Sequence, residues 1–204
     1  GELIWHFKTV ERDFWDFDVP SIPSLVDLQL AGRSVPALIQ STKMGFIFLL
    51  NRETGEPVIE VERREVLRFG PLKDQLSPTQ PFPPAAFQVS RRYEKGRSPM
   101  GLCSSMEEES QVGEIYTPIT EQWTIGLPSN MGATNWGGVA VDAQRGLIAL
   151  HSNNLDYRTK LLDKSNAPSQ LLETMGDVDR PIAERRAAYE AYRASFEIGD
   201  DVEL

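Results

Sequence analysis

Phe46-Ile47-Phe48-Leu49-Leu50, then Asn51-Arg52-Glu53-Thr54-Gly55, then Pro57-Val58-Ile59-Glu60-Val61 reads as a strand, a polar turn closed by glycine, and a second strand. Five consecutive apolar residues ended by turn formers read as a continuous apolar strand. The plan recurs at Val139 to Asp142, Ala143-Gln144-Arg145-Gly146 and Leu147 to Leu150. Ser24 to Leu30 and Ser34 to Gln40 flank Ala31-Gly32-Arg33, a hairpin signal because glycine accepts the positive φ of such turns. Leu3 to Phe7 is a further short apolar strand candidate. Gly1-Glu2-Leu3-Ile4-Trp5 reads as the tail of another copy, a glycine turn leading to a tryptophan.

Strand-turn-strand modules that repeat bury their faces only against neighbouring copies, as the blades of a β-propeller do. The fold expectation is therefore all-β, a partial β-propeller of two to three blades with long loops and a C-terminal helix. Residues 62 to 112 read as one long irregular stretch, with prolines at 71, 78, 81, 83, 84 and 99. Within it, Met106-Glu107-Glu108-Glu109 is either a solvated acidic loop or a cation site. After Asp179 the character changes: Asp179 is a plausible cap, Pro181 suits a first turn, and Ile182, Tyr189, Tyr192 and Phe196 recur at helical spacing. Residues 181 to 197 thus read as an amphipathic helix, which packs on the chain's own sheet or lies on a membrane surface. The organisation expected is 1–165 as the propeller portion and 166–204 as a divergent tail.

Asp and Glu total 30 against 21 Lys and Arg, a net charge of −9, and such a balance argues against nucleic-acid binding, which draws its affinity from clustered positive charge. The single cysteine, Cys103, has no internal disulfide partner, and no Cys/His cluster has metal-ligand spacing. No apolar run approaches the roughly 20 residues of a membrane span, and no basic-then-apolar leader opens the chain. This segment is expected to be soluble.

Asp13-Phe14-Trp15-Asp16-Phe17-Asp18-Val19-Pro20 and the later Ser41-Thr42-Lys43-Met44-Gly45 place carboxylates beside aromatic rings and a lysine between two strands. Together with Trp5-His6-Phe7-Lys8-Thr9-Val10, Ser24-Leu25-Val26-Asp27-Leu28, Pro78-Thr79-Gln80-Pro81-Phe82, Ile115-Tyr116-Thr117-Pro118 and Asn135-Trp136-Gly137-Gly138-Val139-Ala140-Val141-Asp142, in that order, these motifs resemble the membrane-bound quinoprotein glucose dehydrogenases. Those enzymes use pyrroloquinoline quinone, and the likeness covers about residues 1 to 165. It implies an arc of an eight-bladed ring.

The resemblance assigns Asp16 as the catalytic base and Lys43 as a cofactor contact, with Asn135 and Trp136 bordering the cofactor. A carboxylate takes a hydroxyl proton when it lies within about 3 Å, and burial beside Phe14, Trp15 and Phe17 would tune it. An ammonium stabilises negative charge developing on a quinone. Related alcohol dehydrogenases carry arginine where Lys43 stands, which favours a sugar or polyol substrate. Read without the resemblance, Asp16 is a turn residue and Lys43 a solvated lysine. Asn135 either bonds a quinone oxygen or holds its own turn, and Trp136 either faces the cofactor or anchors one blade to the next. Asp18 is a metal ligand in some relatives and not in others.

His151 stands where relatives carry an amide, and Ser104 to Gln111 is more acidic than their pattern. No metal site is expected within the chain. The resemblance places the ligands of Ca2+, or another divalent ion, outside this sequence, along with electron transfer to ubiquinone at the periplasmic face of the inner membrane. The isolated chain is expected to be inactive, and its open sheet edges invite homo-oligomers. A non-catalytic propeller scaffold is the alternative, which has no need to keep Asp16 and Lys43 at this separation.

Overall fold

Alternation decides how the central sheet is buried. In the computed structural model, which describes residues 1–98, 101, 104–162 and 169–195, strands β1 (Ser24–Leu30), β2 (Arg33–Ser41) and β3 (Ile47–Asn51) form an antiparallel meander. Side chains alternate across a strand. Phe46, Phe48 and Leu50 therefore enter one cluster with Trp15, Phe17, Met44, Leu76 and Tyr116. Ile47 and Leu49 enter another with Ile39. The apolar run in β3 is buried on both faces because each face has its own layer. Pro36 sits in β2 opposite Asp27, at a place where β3 has no register partner, so the missing N–H breaks no ladder between β2 and β3.

The aliphatic layer is completed by a hairpin late in the first 160 residues. Before it come β4 (Glu62–Glu65) and β5 (Thr79–Phe82), an antiparallel pair, and β6 (Gln111–Val112) parallel to β7 (Thr124–Gly126). Strands β8 (Val139–Asp142) and β9 (Leu147–Leu150) turn at Gly146, and β10 (Tyr157–Thr159) pairs with β7. Val139, Val141, Ile148 and Leu150 pack against the Ile39 cluster.

Three expectations change. Leu3 to Phe7 forms no strand, because Trp5 is used for docking: its ring lies where a Cβ on Gly55 would come within 2.6 Å, and its Nε1 donates to the Arg52 carbonyl at 3.1 Å. Gly55, at φ +77°, gives the ring its seat. Pro57 to Val61 contributes one bridge, Leu50 to Pro57, instead of a strand. Residues 62 to 112 are less irregular than expected, since they contain β4, β5 and β6. Among the described residues the larger sheets have three strands, not the four of a complete blade.

The acidic run is a 3-10 segment, Ser104–Glu109, and Glu107 is its buried member. Its carboxylate accepts from the Tyr93 hydroxyl at 2.6 Å and from the Gly96 N–H at 2.9 and 2.8 Å. The Tyr93 bond first, and the Gly96 amide second, hold its pKa below the usual 4.5. A depressed carboxylate pKa contributes stability that is present above the unfolded value and is lost as pH falls through the folded one. Glu107→Gln is therefore expected to flatten the loss of stability below about pH 4.5, read from thermal melts across that range. An unchanged acid slope would contradict this. Cys103 lies outside the described residues.

Contacts divide the chain into Gly1–Lys160 and Leu161–Leu204. In the second unit, α1 (Ser169–Gly176) and α2 (Ile182–Ala194) pack together, with Arg185 Nε donating to the Met175 carbonyl at 3.2 Å. Among the described side chains of α2, Ala188 is buried, Tyr189 and Tyr192 are half-buried, and Ile182, expected in the apolar stripe, is exposed. Helix α1 was not anticipated, and it provides the α2 face with a partner. Phe196 and the rest of the expected helix end lie outside the described residues. Among the described residues no helix is long and apolar enough to cross a membrane.

Candidate active site

The β2–β3 connection, Thr42 to Phe46, is pinned at nearly every polar atom. Thr42 closes it, exchanging bonds with Phe46 through N–H (3.0 Å) and Oγ1 (3.2 Å), and the Gly45 N–H returns to the Thr42 carbonyl at 2.8 Å. Gly45 has φ +74°, and a Cβ there would come within 2.7 Å of Ser90. Outside partners hold the tip as well. Ala133 N–H donates to the Lys43 carbonyl (2.8 Å), Thr134 Oγ1 to the Thr42 carbonyl (2.7 Å) and Ser90 Oγ to the Met44 carbonyl (2.9 Å). A backbone so constrained presents one side chain, Lys43, in one place.

Lys43 meets the segment 15–18, where burial alternates: Trp15 and Phe17 enter the core, and Asp16 and Asp18 face out. Trp15 Nε1 donates to the Thr117 carbonyl at 2.8 Å, which fixes the ring and the backbone beside it. Lys43 Nζ lies 3.0 Å from Asp16 Oδ2 and 2.5 Å from Asp18 Oδ1. The lysine side chain is only 11% exposed, whereas that of Asp16 is 64% exposed. Burial opposes the ammonium's charge, but the hydrogen bonds it donates to Asp18 and then to Asp16 outweigh it, and the Lys43 pKa rises above 10.5. The ammonium is therefore charged at neutral pH.

Asp16 adopts φ +61°, a left-handed conformation that aspartate tolerates better than most residues, at about 1–2 kcal/mol. That strain is held in place by two anchored aromatics and the ion pair. The expected burial of the Asp16 carboxyl among the rings does not occur. Its neighbours on either side take the core positions, and the carboxyl turns to Lys43 and solvent.

Asn135 and Trp136 take different places. Their loop approaches Lys43 through Gly132, at φ +81°, where a Cβ would come within 2.6 Å of Lys43 Cγ and 2.9 Å of the Thr134 carbonyl. Asn135 itself holds its own turn: Nδ2 donates to the Met131 carbonyl (2.6 Å), and Oδ1 accepts from the Trp136 N–H (2.9 Å). Trp136 is 82% exposed, and His151 is exposed too. The sequence reading missed Gly132 and Gln40. Gln40 Nε2 ties Ser21 to the end of β2 through the Ser21 carbonyl (3.2 Å), Ser21 Oγ (3.1 Å) and the Ser41 carbonyl (2.7 Å). Only the glycine in Met131-Gly132-Ala133 was a signal, and its use depends on a distant chain segment.

Gly132→Ala is expected to destabilise the protein by about 1–2 kcal/mol from backbone strain alone, and by more if the Lys43 stem cannot shift. Chemical denaturation measures it. A neutral effect would mean that the loop does not rest on Lys43.

A family model described as "PQQ: Glucose/ethanol/alcohol dehydrogenase, beta-propeller domain" matches residues 1–198. The chain belongs to this family. Among curated relatives, it is 32% identical over 171 residues to the quinoprotein glucose dehydrogenase of Escherichia coli (strain K12), covering 80% of this chain and 21% of the relative. It is 33% identical over 187 residues to the glycerol dehydrogenase large subunit of Gluconobacter thailandicus, covering 87% of this chain and 25% of the relative. With the probable quinate dehydrogenase (quinone) of Xanthomonas campestris pv. juglandis the identity is 32% over 170 residues, covering 79% and 22%. The chain thus spans about a quarter or less of the length of these relatives.

Pyrroloquinoline quinone, the cofactor this quinoprotein family implies, is planar and rich in carboxylate and carbonyl acceptors. Lys43 suits it in one respect: two ammonium hydrogens serve Asp16 and Asp18, and the third has no protein partner among the described residues. A divalent ion is a different case. It takes six or more oxygens, and among the described residues no group of three metal-ligating side chains exists. Asp18 is engaged by Lys43 at 2.5 Å.

Proposed function

We propose that this chain supplies the Asp16–Lys43 portion of the active site of a dehydrogenase dependent on pyrroloquinoline quinone. The substrate is glucose or a related sugar or polyol, and the product is the lactone or ketone. The observation that carries this reading is the pairing of an exposed carboxylate with a nearly buried ammonium at 3.0 Å, on a rigid hairpin tip. When bound, the quinone supplies the two-electron sink that no side chain offers. Lys43 Nζ holds the acceptor edge of the site positive. Asp16, through Oδ1 or Oδ2, takes the proton of the substrate hydroxyl.

Asp18 completes the device. Protonation of Asp16 weakens its attraction for Lys43, and Asp18, at 2.5 Å, keeps the ammonium where it stands through turnover. In this reading Ca2+ or another divalent ion is held by residues outside the chain, and the intact protein passes electrons to ubiquinone at the periplasmic face of the inner membrane.

The test is reduction of an artificial electron acceptor with glucose or glycerol, quinone and calcium. The 204-residue chain alone is expected to show no turnover, and the intact protein to show it. Turnover by the isolated chain would overturn the proposed division of the site. Absence of saturable quinone binding by the intact protein would overturn the dehydrogenase reading in favour of a scaffold.

A further inference from the structure

A cleft of about 830 Å³ shares no lining residue with the Asp16–Lys43 pair. Its size is in the range that encloses a small organic ligand. Phe46, Phe82, Tyr93 and Tyr116 contribute to its walls, and Phe46, Phe82 and Tyr116 contact one another with ring centroids 5.2 to 6.3 Å apart. Arg64, Arg91 and Arg92 line it as well, against the carboxylates Glu65 and Glu114.

The arginines differ in how committed they are. Arg64 lies over the Phe82 ring at 4.9 Å and donates to Glu62 at 2.7 Å. Arg92 reaches Glu114 only at 3.7 Å, between two side chains more than three-quarters exposed, a pair that contributes little. The Arg91 guanidinium has no hydrogen bond or ion pair among the described residues, while its backbone N–H is fixed by Asn154 Oδ1 at 3.2 Å.

We propose that this cleft is a second binding site, for a small planar aromatic carboxylate. The ring would lie against the exposed apolar lining, Leu67 and Val112 beside Phe82, since Phe46, Tyr93 and Tyr116 are almost wholly buried, and the carboxylate would be taken by Arg91. A guanidinium matches a carboxylate with two parallel N–H bonds, and a flat ring adds contact area with few torsions to freeze. The site is independent of the proposed dehydrogenase chemistry.

Calorimetric titration of the protein with 2-naphthoate, and with 2-naphthalenemethanol as its uncharged counterpart, tests the proposal. One saturable site for the carboxylate is expected, with at least tenfold weaker binding of the alcohol. Arg91→Ala should weaken the carboxylate at least tenfold, Glu114→Gln should strengthen it several-fold by removing the opposing charge, and Lys43→Gln, which removes the cation of the other pair, should leave this binding unchanged. Absence of saturable binding, equal affinity for acid and alcohol, or indifference to Arg91→Ala would overturn the site. Loss of binding in Lys43→Gln would also overturn it, by placing the ligand at the other pair. Circular dichroism of each variant separates a lost contact from a lost fold.

Discussion

Asp16→Asn in the intact, cofactor-loaded protein is expected to lower kcat by roughly 10²- to 10⁴-fold, the range in which a positioned general base acts. The amide has the shape of the carboxylate but no basic oxygen for a hydroxyl proton. The fold should survive, because the Asp16 side chain is mostly exposed and Lys43 keeps Asp18 at 2.5 Å. Quinone binding should change far less than turnover, since the ammonium remains. Steady-state kinetics beside a thermal melt separates these effects. Near-normal kcat in a folded, loaded variant would remove Asp16 as the base and leave it a turn residue with an ion pair.

Trp15→Ala is expected to cost about 3–5 kcal/mol, the largest stability loss of any substitution considered. The ring is 4% exposed, stacks beside Phe17 at 6.1 Å, meets Tyr116 edge-on at 5.3 Å, and donates to the Thr117 carbonyl. Removing it opens a cavity and leaves a partly buried carbonyl without its donor. Trp15→Phe keeps most of the volume and should cost about 1–3 kcal/mol for the unmet carbonyl. Denaturant unfolding gives both values. The order matters more than the sizes: a phenylalanine variant as unstable as the alanine one would mean that the hydrogen bond, not packing, holds this cluster.

The two experiments probe one construction. Trp15 and Phe17 fill the core cluster that contains Phe46 and Tyr116, and Asp16 stands between them with a left-handed backbone. Tyr116, whose hydroxyl donates to Met44 Sδ at 3.0 Å, links that cluster to the residue after Lys43. Burial raises the Tyr116 pKa well above its usual value, with the charge on Asp13 adding to the effect, so this hydroxyl stays protonated across the working range. The carboxylate and the ammonium are thus brought together by two segments that pack into one aromatic core. The two groups meet at 3.0 Å.

Local pattern was enough for β1, β2, β3 and the β8–β9 hairpin. Apolar runs ended by Asn-Arg-Glu-Thr-Gly or Ala-Gly-Arg specify strand and turn from neighbouring residues alone, and the ordered motifs from Trp5 to Asp142 carried the family. The pairing of β4 with β5 across a proline-rich stretch, the docking of Trp5 on Gly55, and the packing of α2 on α1 are different in kind. Each depends on which distant surface is available, and local periodicity holds no record of that. The same division runs through the site. Asp16 and Lys43 are singled out by the ordered motifs of the family resemblance, whereas residue type and spacing alone read them as a turn residue and a solvated lysine. Asp18 as the second partner of Lys43, Gly132 against its stem, and the exposure of the Asp16 carboxyl were decided by tertiary structure, since they arise only when a turn, a hairpin tip and a loop more than a hundred residues downstream of the turn meet over one aromatic core.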